Sequence, residues 1–148
     1  MTIAPFVLAP ENYPAPLHVI GVNITVLAQN DTTAGCEMTL QEGGAGAGPP
    51  PHSHAWDEFF YVLKGTVEFT YADHAGTASP GTLVHLPAGT VHHFRFGAEG
   101  GKMIEITGKG GSATKLFTAL DREIAPGPPD IPAVIGVLQR HGVNVAAA

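Results

Sequence analysis

The sequence predicts an all-β fold, a barrel or jelly roll, and three observations carry that expectation. Nineteen glycines and thirteen prolines stand among 148 residues, and because both interrupt helix interiors, long bundles and coiled coils are excluded. Yet 44 % of residues are hydrophobic and only 14 % are charged, far too apolar a composition for a disordered chain. Short alternating apolar runs recur between Gly, Pro and Asp-Thr punctuation. That is the pattern of many short strands closing around one core.

Residues 1–16 read as an extended arm. Leu17 to Ala28, rich in Val, Ile and Leu, predicts a strand, and Asp31-Thr32-Thr33 a turn. Cys36 to Glu42 alternates Cys36, Met38 and Leu40 with Glu37, Thr39 and Gln41, which predicts a strand with one apolar face. Gly43 to Pro51 is too punctuated for regular structure. Glu58 to Leu63 and Thr66 to Tyr71 flank Lys64-Gly65 and predict a hairpin. Thr82 to Leu86, Thr90 to Phe96 and Lys102 to Thr107 predict further short strands. Helix is confined to the last part, where Thr114 to Glu123 aligns Leu116, Phe117 and Leu120, and Pro132 to His141 aligns Val134, Ile135 and Leu138. The second helix has Asp130 as its N-cap, Pro132 in its first turn and Gly142 beyond its end. It is too short to stand alone and is expected to pack on the outside of the barrel. The organisation so predicted is one domain over 1–148, with an arm (1–16), a barrel (17–107) and a C-terminal extension with short helices (108–148).

Seven basic and thirteen acidic residues give a net charge of −6. The cations are scattered, which excludes a phosphate-tracking surface and therefore a nucleic-acid partner. No apolar run approaches the ~18 residues that span a bilayer, so no membrane partner is expected. Met1 to Pro5 lacks the charged and apolar regions of a secretory signal, and the single Cys36 cannot close an internal disulfide. A reducing, cytoplasmic location is expected.

His52-Ser53-His54 places two imidazoles at i and i+2, on one side of an extended segment, and Pro49-Pro50-Pro51 favours extension there. Glu58 follows, and His92 lies at the start of a later strand. Imidazoles with one carboxylate form a donor set suited to Fe, Mn, Ni, Cu or Zn. Four solvated polar residues are the other reading of the same positions.

The spacings resemble the two signature motifs of the cupin superfamily. Gly46, His52, His54, Glu58 and Gly65 fill every fixed position of the first motif, and Gly81, Pro87, Gly89 and His92 fill those of the second except its last, where Phe96 stands for an asparagine. Thr66 to Pro80 separate the two. The tail from Gly127-Pro128-Pro129-Asp130 to His141-Gly142-Val143 is similar to the C-terminal helix of small quercetin-dioxygenase-like cupins. The resemblance implies a double-stranded β-helix, the cupin jelly-roll barrel, with a short C-terminal helix packed outside, in a homodimer. It also implies that His52, His54, Glu58 and His92 bind one divalent ion inside the barrel, leaving coordination positions for water, substrate or dioxygen.

With Glu58 facing inward, alternation sends Phe60 and Val62 inward; with His92 inward, Phe94 and Phe96 follow. Together with Met38 these predict an apolar substrate pocket around a single polar centre, fit for a flat hydrophobic small molecule anchored by one or two oxygens. His85 is a further acid or base of uncertain direction. Cys36 reads as a small apolar group. The expected function is that of a mononuclear dioxygenase-like metalloenzyme in which Glu58 accepts a substrate proton. The alternatives are a non-catalytic sensor or accessory cupin, and a metal-dependent isomerase, for which His85 or Tyr61 supplies the second acid or base.

Overall fold

The structure is a computed structural model and describes residues 2–147. After an arm with one 3-10 turn at Pro10–Asn12, the chain forms β1 (Leu17–Val19), β2 (Val22–Ala28), α1 (Asn30–Thr33), β3 (Glu37–Gly43), β4 (His52–Ser53), β5 (Glu58–Tyr71), β6 (His74–Ala78), β7 (Leu83–Leu86), β8 (His92–Thr107), α2 (Ala113–Glu123), α3 (Ile131–Arg140) and β9 (Asn144–Val145). The predicted strand Leu17–Ala28 is in fact the hairpin β1–β2, because Ile20 and Gly21 both take positive φ (50° and 81°), as a two-residue type I′ turn requires. The predicted turn at Asp31-Thr32-Thr33 lies within the single helical turn α1.

Two long strands organise the barrel. The predicted hairpin at Lys64-Gly65 does not exist: β5 runs through it, and β8 likewise runs through the predicted break at Gly97 to Gly101. β5 and β8 pair antiparallel from Glu58↔Thr107 to Tyr71↔His92, with register shifts on either side of Gly65↔Gly101. At that shift the chains bend. Gly65 has φ +66°, and a Cβ there would stand 2.1 Å from the Gly100 carbonyl oxygen, so only glycine fits the close approach. Each strand thus serves two halves of one sheet, as barrel corners do when strands switch layers at bulges. One half runs β1-β2-β3-β8-β5-β7 and the other β9-β4-β8-β5-β6. The bend folds these halves face to face, so Glu58 and His92, at opposite ends of the β5–β8 ladder, meet inside.

The interior is not uniformly apolar. On β3 the buried residues are Glu37, Thr39 and Gln41, while Met38 and Leu40 are half-buried on the other face. This inverts the predicted apolar face. β8 repeats the inversion, burying Met103, Glu105 and Thr107 and turning Ile104 and Ile106 outward. Register aligns the two sets with β5 into rows Glu37–Thr107–Glu58, Thr39–Glu105–Phe60 and Gln41–Met103–Val62. Glu37 is accounted for locally: its carboxylate accepts from the Thr114 amide in the first turn of α2 (3.1 Å), where backbone amides and the helix dipole favour negative charge.

The helices lie outside the strands. α3 begins on Asp130, whose side chain accepts from the Ala133 amide (3.2 Å), and Arg140 pairs with Glu123 to tie α3 to α2. Their apolar residues Leu116, Leu120, Val134, Val137 and Leu138 are buried against the barrel. Beyond α3, β9 returns to pair with β4 through His52↔Val145 and Ser53↔Asn144. No helix among the described residues is long and apolar enough to cross a membrane.

Candidate metal centre

His52 is held by a two-residue strand between His92 of β8 and Val145 of β9. The Gly/Pro loop that leads to it is pinned to β8, because the Gly46 amide donates to the Phe96 carbonyl (2.8 Å) and the Phe96 amide to the Ala47 carbonyl (2.9 Å). Arg95, on the outward side of β8, adds donations from Nη1 to the Gly48 and Pro49 carbonyls (2.9 and 3.2 Å). The Gly89 amide donates to the His54 carbonyl (2.8 Å) and joins the two motif segments. Backbone contacts, rather than side-chain packing alone, therefore set where the imidazoles begin.

One ligand atom from each of His52, His54, Glu58 and His92 lies within 4.8 Å of all the others. All three imidazoles are oriented in the same way. Nδ1 of His52 donates to the Pro50 carbonyl (2.7 Å), that of His54 to the Trp56 carbonyl (2.9 Å) and that of His92 to the Thr90 carbonyl (2.8 Å). A carbonyl oxygen can only accept, so Nδ1 carries the hydrogen and the Nε2 lone pair turns inward. Trp56 stacks on His54 with ring centroids 4.4 Å apart and an interplanar angle of 7°.

The donor set needs a cation. Nε2 of His54 and of His92 face the same Glu58 Oε2 at 2.7 and 2.9 Å, acceptor against acceptor unless a proton or a metal ion lies between. Burial alone would raise the Glu58 pKa, but its close contacts with His54, His92 and Glu105 outweigh it and hold Glu58 well below the usual carboxylate range. Burial, reinforced by the charge of His92, pushes His52 down to about 4, so it stays neutral as a ligand must. For His92 burial acts downward, and the hydrogen bond and charge of Glu58 raise it overall. The cluster fits a divalent metal site.

Glu105 was not visible as a site residue in the sequence. Burial first and the Glu58 charge second push its carboxyl well above the usual range, which favours its protonated form. The only signal was the strict alternation Met103, Glu105, Thr107 against Ile104, Ile106, whose polar face was not expected inside.

A cavity of about 70 Å³ adjoins the centre, bordered by His52, His54, Glu58, Gln41, Glu105 and Thr107 on one side. Val22, Ile24, Leu116, Leu120, Leu138 and Val143 form much of the remainder. The C-terminal helices thus supply part of its wall. Of the predicted pocket residues, Phe94 borders the cavity. Phe60 and Phe96 pack edge-on against Phe94 at 5.3 and 5.5 Å, one layer away. Phe96 is wedged where a Cβ on Gly43 or Gly101 would come within 2.6 or 2.7 Å of its ring. Met38 faces away from the cavity because it alternates with Thr39. The cavity surface is largely apolar, with its polar side chains at the end that meets the histidines and along β3 and β8. His85 also points outward, stacked on Phe59 at 4.5 Å, and Tyr61 is 41 % exposed, so neither reaches the centre.

Residues 36–107 match the Cupin_2 family, described as a cupin domain. Among solved structures the chain is similar to an RmlC-like cupin from Shewanella frigidimarina NCIMB 400, at 16 % identity and TM-score 0.67, over 77 % of this chain and 99 % of that one. It is similar to KdgF from Halomonas sp. at 19 % identity and TM-score 0.62, over 69 % and 93 %. It is also similar to the polyketide cyclase RemF from Streptomyces resistomycificus at 19 % identity and TM-score 0.61, over 71 % and 80 %. At these identities the likeness is one of fold: the chain folds as a cupin barrel. No curated protein matches the chain.

Proposed function

We propose that the chain is a mononuclear metalloenzyme, dioxygenase-like in its chemistry, acting on a small and largely apolar organic molecule. His52, His54, Glu58 and His92 hold one divalent transition metal ion. The observation that carries this reading is the set of three imidazoles whose Nδ1 atoms are occupied by backbone carbonyls, leaving three lone pairs and a carboxylate converged on one point. When bound, the ion supplies Lewis acidity toward a substrate oxygen and, if redox-active, a route for dioxygen. Glu58 accepts the proton of a substrate hydroxyl or enol. The leucines and valines of the helix-lined wall exclude water around the reacting group.

One observation favours a second reading, a non-redox isomerase or cyclase. Glu105 borders the same cavity as Glu58, its carboxyl held well above the usual range by burial and by the Glu58 charge, and is the second acid that proton-shuttling chemistry needs; a polyketide cyclase is among the similar structures. A non-catalytic sensor or accessory role remains the reading to which failure of both reactions would lead. We further read residues 1–148 as one domain, located in the cytoplasm in keeping with a lone free cysteine, and functioning as a homodimer.

Metal analysis of protein purified without chelator, followed by oxygen-electrode traces with flavonols and small enolisable acids, tests the proposal. A stoichiometric redox-active ion with substrate-dependent oxygen uptake is expected. Metal with product formation but no oxygen uptake favours the isomerase or cyclase. Substoichiometric metal and unchanged stability on chelation sink the metal reading.

A further inference from the structure

The turn between β1 and β2 is built on an unfavourable residue. Ile20 takes φ 50°, and a β-branched side chain in that left-handed region is strained, because its branch crowds the backbone. A two-residue type I′ turn is formed with less strain by Asn, Asp or Gly at this position. The other non-glycine residues with positive φ among the described residues, Ala34 and Ala72, are both alanines. Strain of this kind persists where the surroundings over-determine the conformation. At Ile20 those surroundings are the core, against which its side chain packs half-buried, and the cavity before the histidines, which it borders.

Most residues that border the cavity are buried. Those that also reach solvent are Ile20 from the turn, Gly48, Pro49 and Pro50 from the Gly/Pro loop, Phe117 from α2, and the ligand His52, and they mark where the cavity meets water. Three elements adjoin there: a Cβ on Gly21 would stand 3.7 Å from that of Ala47 in the Gly/Pro loop, and the His18 amide of β1 donates to Asp121 Oδ1 of α2 (2.8 Å). The Gly/Pro loop is fastened to β8 by Arg95 and by backbone bonds, and α2 buries Leu116, Ala119 and Leu120. The turn, in contrast, ends a three-residue strand at the edge of the sheet, so of the three pieces it yields most easily. No rim residue carries a fixed charge, and among the described residues no lysine or arginine borders the cavity behind them. An anion would therefore lose its hydration there unpaired.

Resting on the reading of this centre as a metal site for a small apolar ligand, we propose that Ile20 is the specificity-determining residue at its mouth. The isoleucine side chain covers the approach to the histidines and admits uncharged molecules slim enough to displace it, while the apolar rim turns anions away. A shorter side chain at position 20 widens the range of ligands that enter.

The sole tryptophan, Trp56, is 7 % exposed and borders the cavity behind the rim, so collisional quenching of its fluorescence reports entry. Metal-free protein is titrated with acrylamide, with the bulkier but equally uncharged succinimide, and with iodide. Ile20→Asn gives the turn its preferred Asn-Gly pair and shortens the side chain. It is expected to raise the acrylamide quenching constant about fivefold, the factor by which losing the contacts of a half-buried isoleucine shifts a covered mouth toward an open one. Succinimide should gain more than acrylamide, and iodide nothing. Ile20→Leu, of equal volume, should be quenched like the unaltered protein. Unchanged acrylamide quenching in Ile20→Asn, a smaller gain for succinimide than for acrylamide, an equal rise with iodide, or the same rise in Ile20→Leu would each overturn the proposal. Phe117→Ala opens the same rim from α2 and decides the matter if Ile20→Asn does not fold: the same order of gains is expected, and unchanged quenching would refute the mouth. Because the titrations use metal-free protein, their outcome is independent of the metal reading, whose failure shows separately as substoichiometric zinc after loading.

Discussion

At Glu58 a single carboxylate oxygen faces Nε2 of His54 at 2.7 Å and of His92 at 2.9 Å. Glu58→Gln replaces one acceptor by an amide of nearly the same shape and removes the negative charge that offsets a divalent ion. We expect the far-UV circular dichroism to be unchanged, metal occupancy at limiting ion to fall tenfold or more, and turnover to be lost. Mass-spectrometric metal analysis and rate assays check this, and normal turnover in the variant would remove Glu58 from the mechanism. The four candidate ligands were legible in the sequence because their positions resemble the two cupin motifs, which imply them: His-x-His, then a carboxylate, then a histidine after a Pro-x-Gly turn. Glu105, Gln41 and Thr107 were not, because their neighbours Ile104, Ile106, Leu40 and Met38 offered an equally regular apolar set. Only a third partner decides which set faces in.

For β3 and the second half of β8, that partner is β5, whose Glu58, Phe60 and Val62 share rows with them. Period two was read correctly in β3, while its sign was set by tertiary pairing. The same limit explains the long strands. Lys64-Gly65 carries a turn composition, yet its neighbours keep their pairing across the bend, so a local signal for reversal became a bulge. The helices were the reverse case: Asp130, Pro132 and Gly142 marked α3 by local chemistry, and the structure needed no distant contact to honour them. What locality could not tell was that α2 helps to line the cavity. Leu120 is 2 % exposed and borders it. Leu120→Ala should cost about 3 kcal/mol in urea denaturation, in the range for buried leucines, while metal stoichiometry stays intact because no ligand is touched. Loss of the ion in this variant would show that the helix supports the centre directly.

Across the whole molecule, the inversion that brings polar residues inside leaves apolar ones outside. Register sets them in two rows over four strands, Met38–Ile106–Phe59–His85 and Leu40–Ile104–Tyr61–Leu83, with Leu63 beyond them; Tyr61, Leu63 and Leu83 are 41 %, 40 % and 58 % exposed. A second copy of the same face is the occupant we propose, since apolar rows laid on one another across a two-fold axis remove this exposed apolar surface from water. Light scattering after size-exclusion chromatography should give twice the chain mass, and Leu83→Glu should shift it to that of one chain with the metal centre preserved. A monomer in the unaltered protein would refute the homodimer.

The pairing of β9 with β4 also bears on the order in which the molecule assembles. His52 is fixed in part by Val145, a contact between residues far apart in sequence, and the ends of the β5–β8 ladder are likewise remote. Such closures are entropically expensive and belong late in folding. In a refolding experiment, the ion should therefore be captured in the slowest phase.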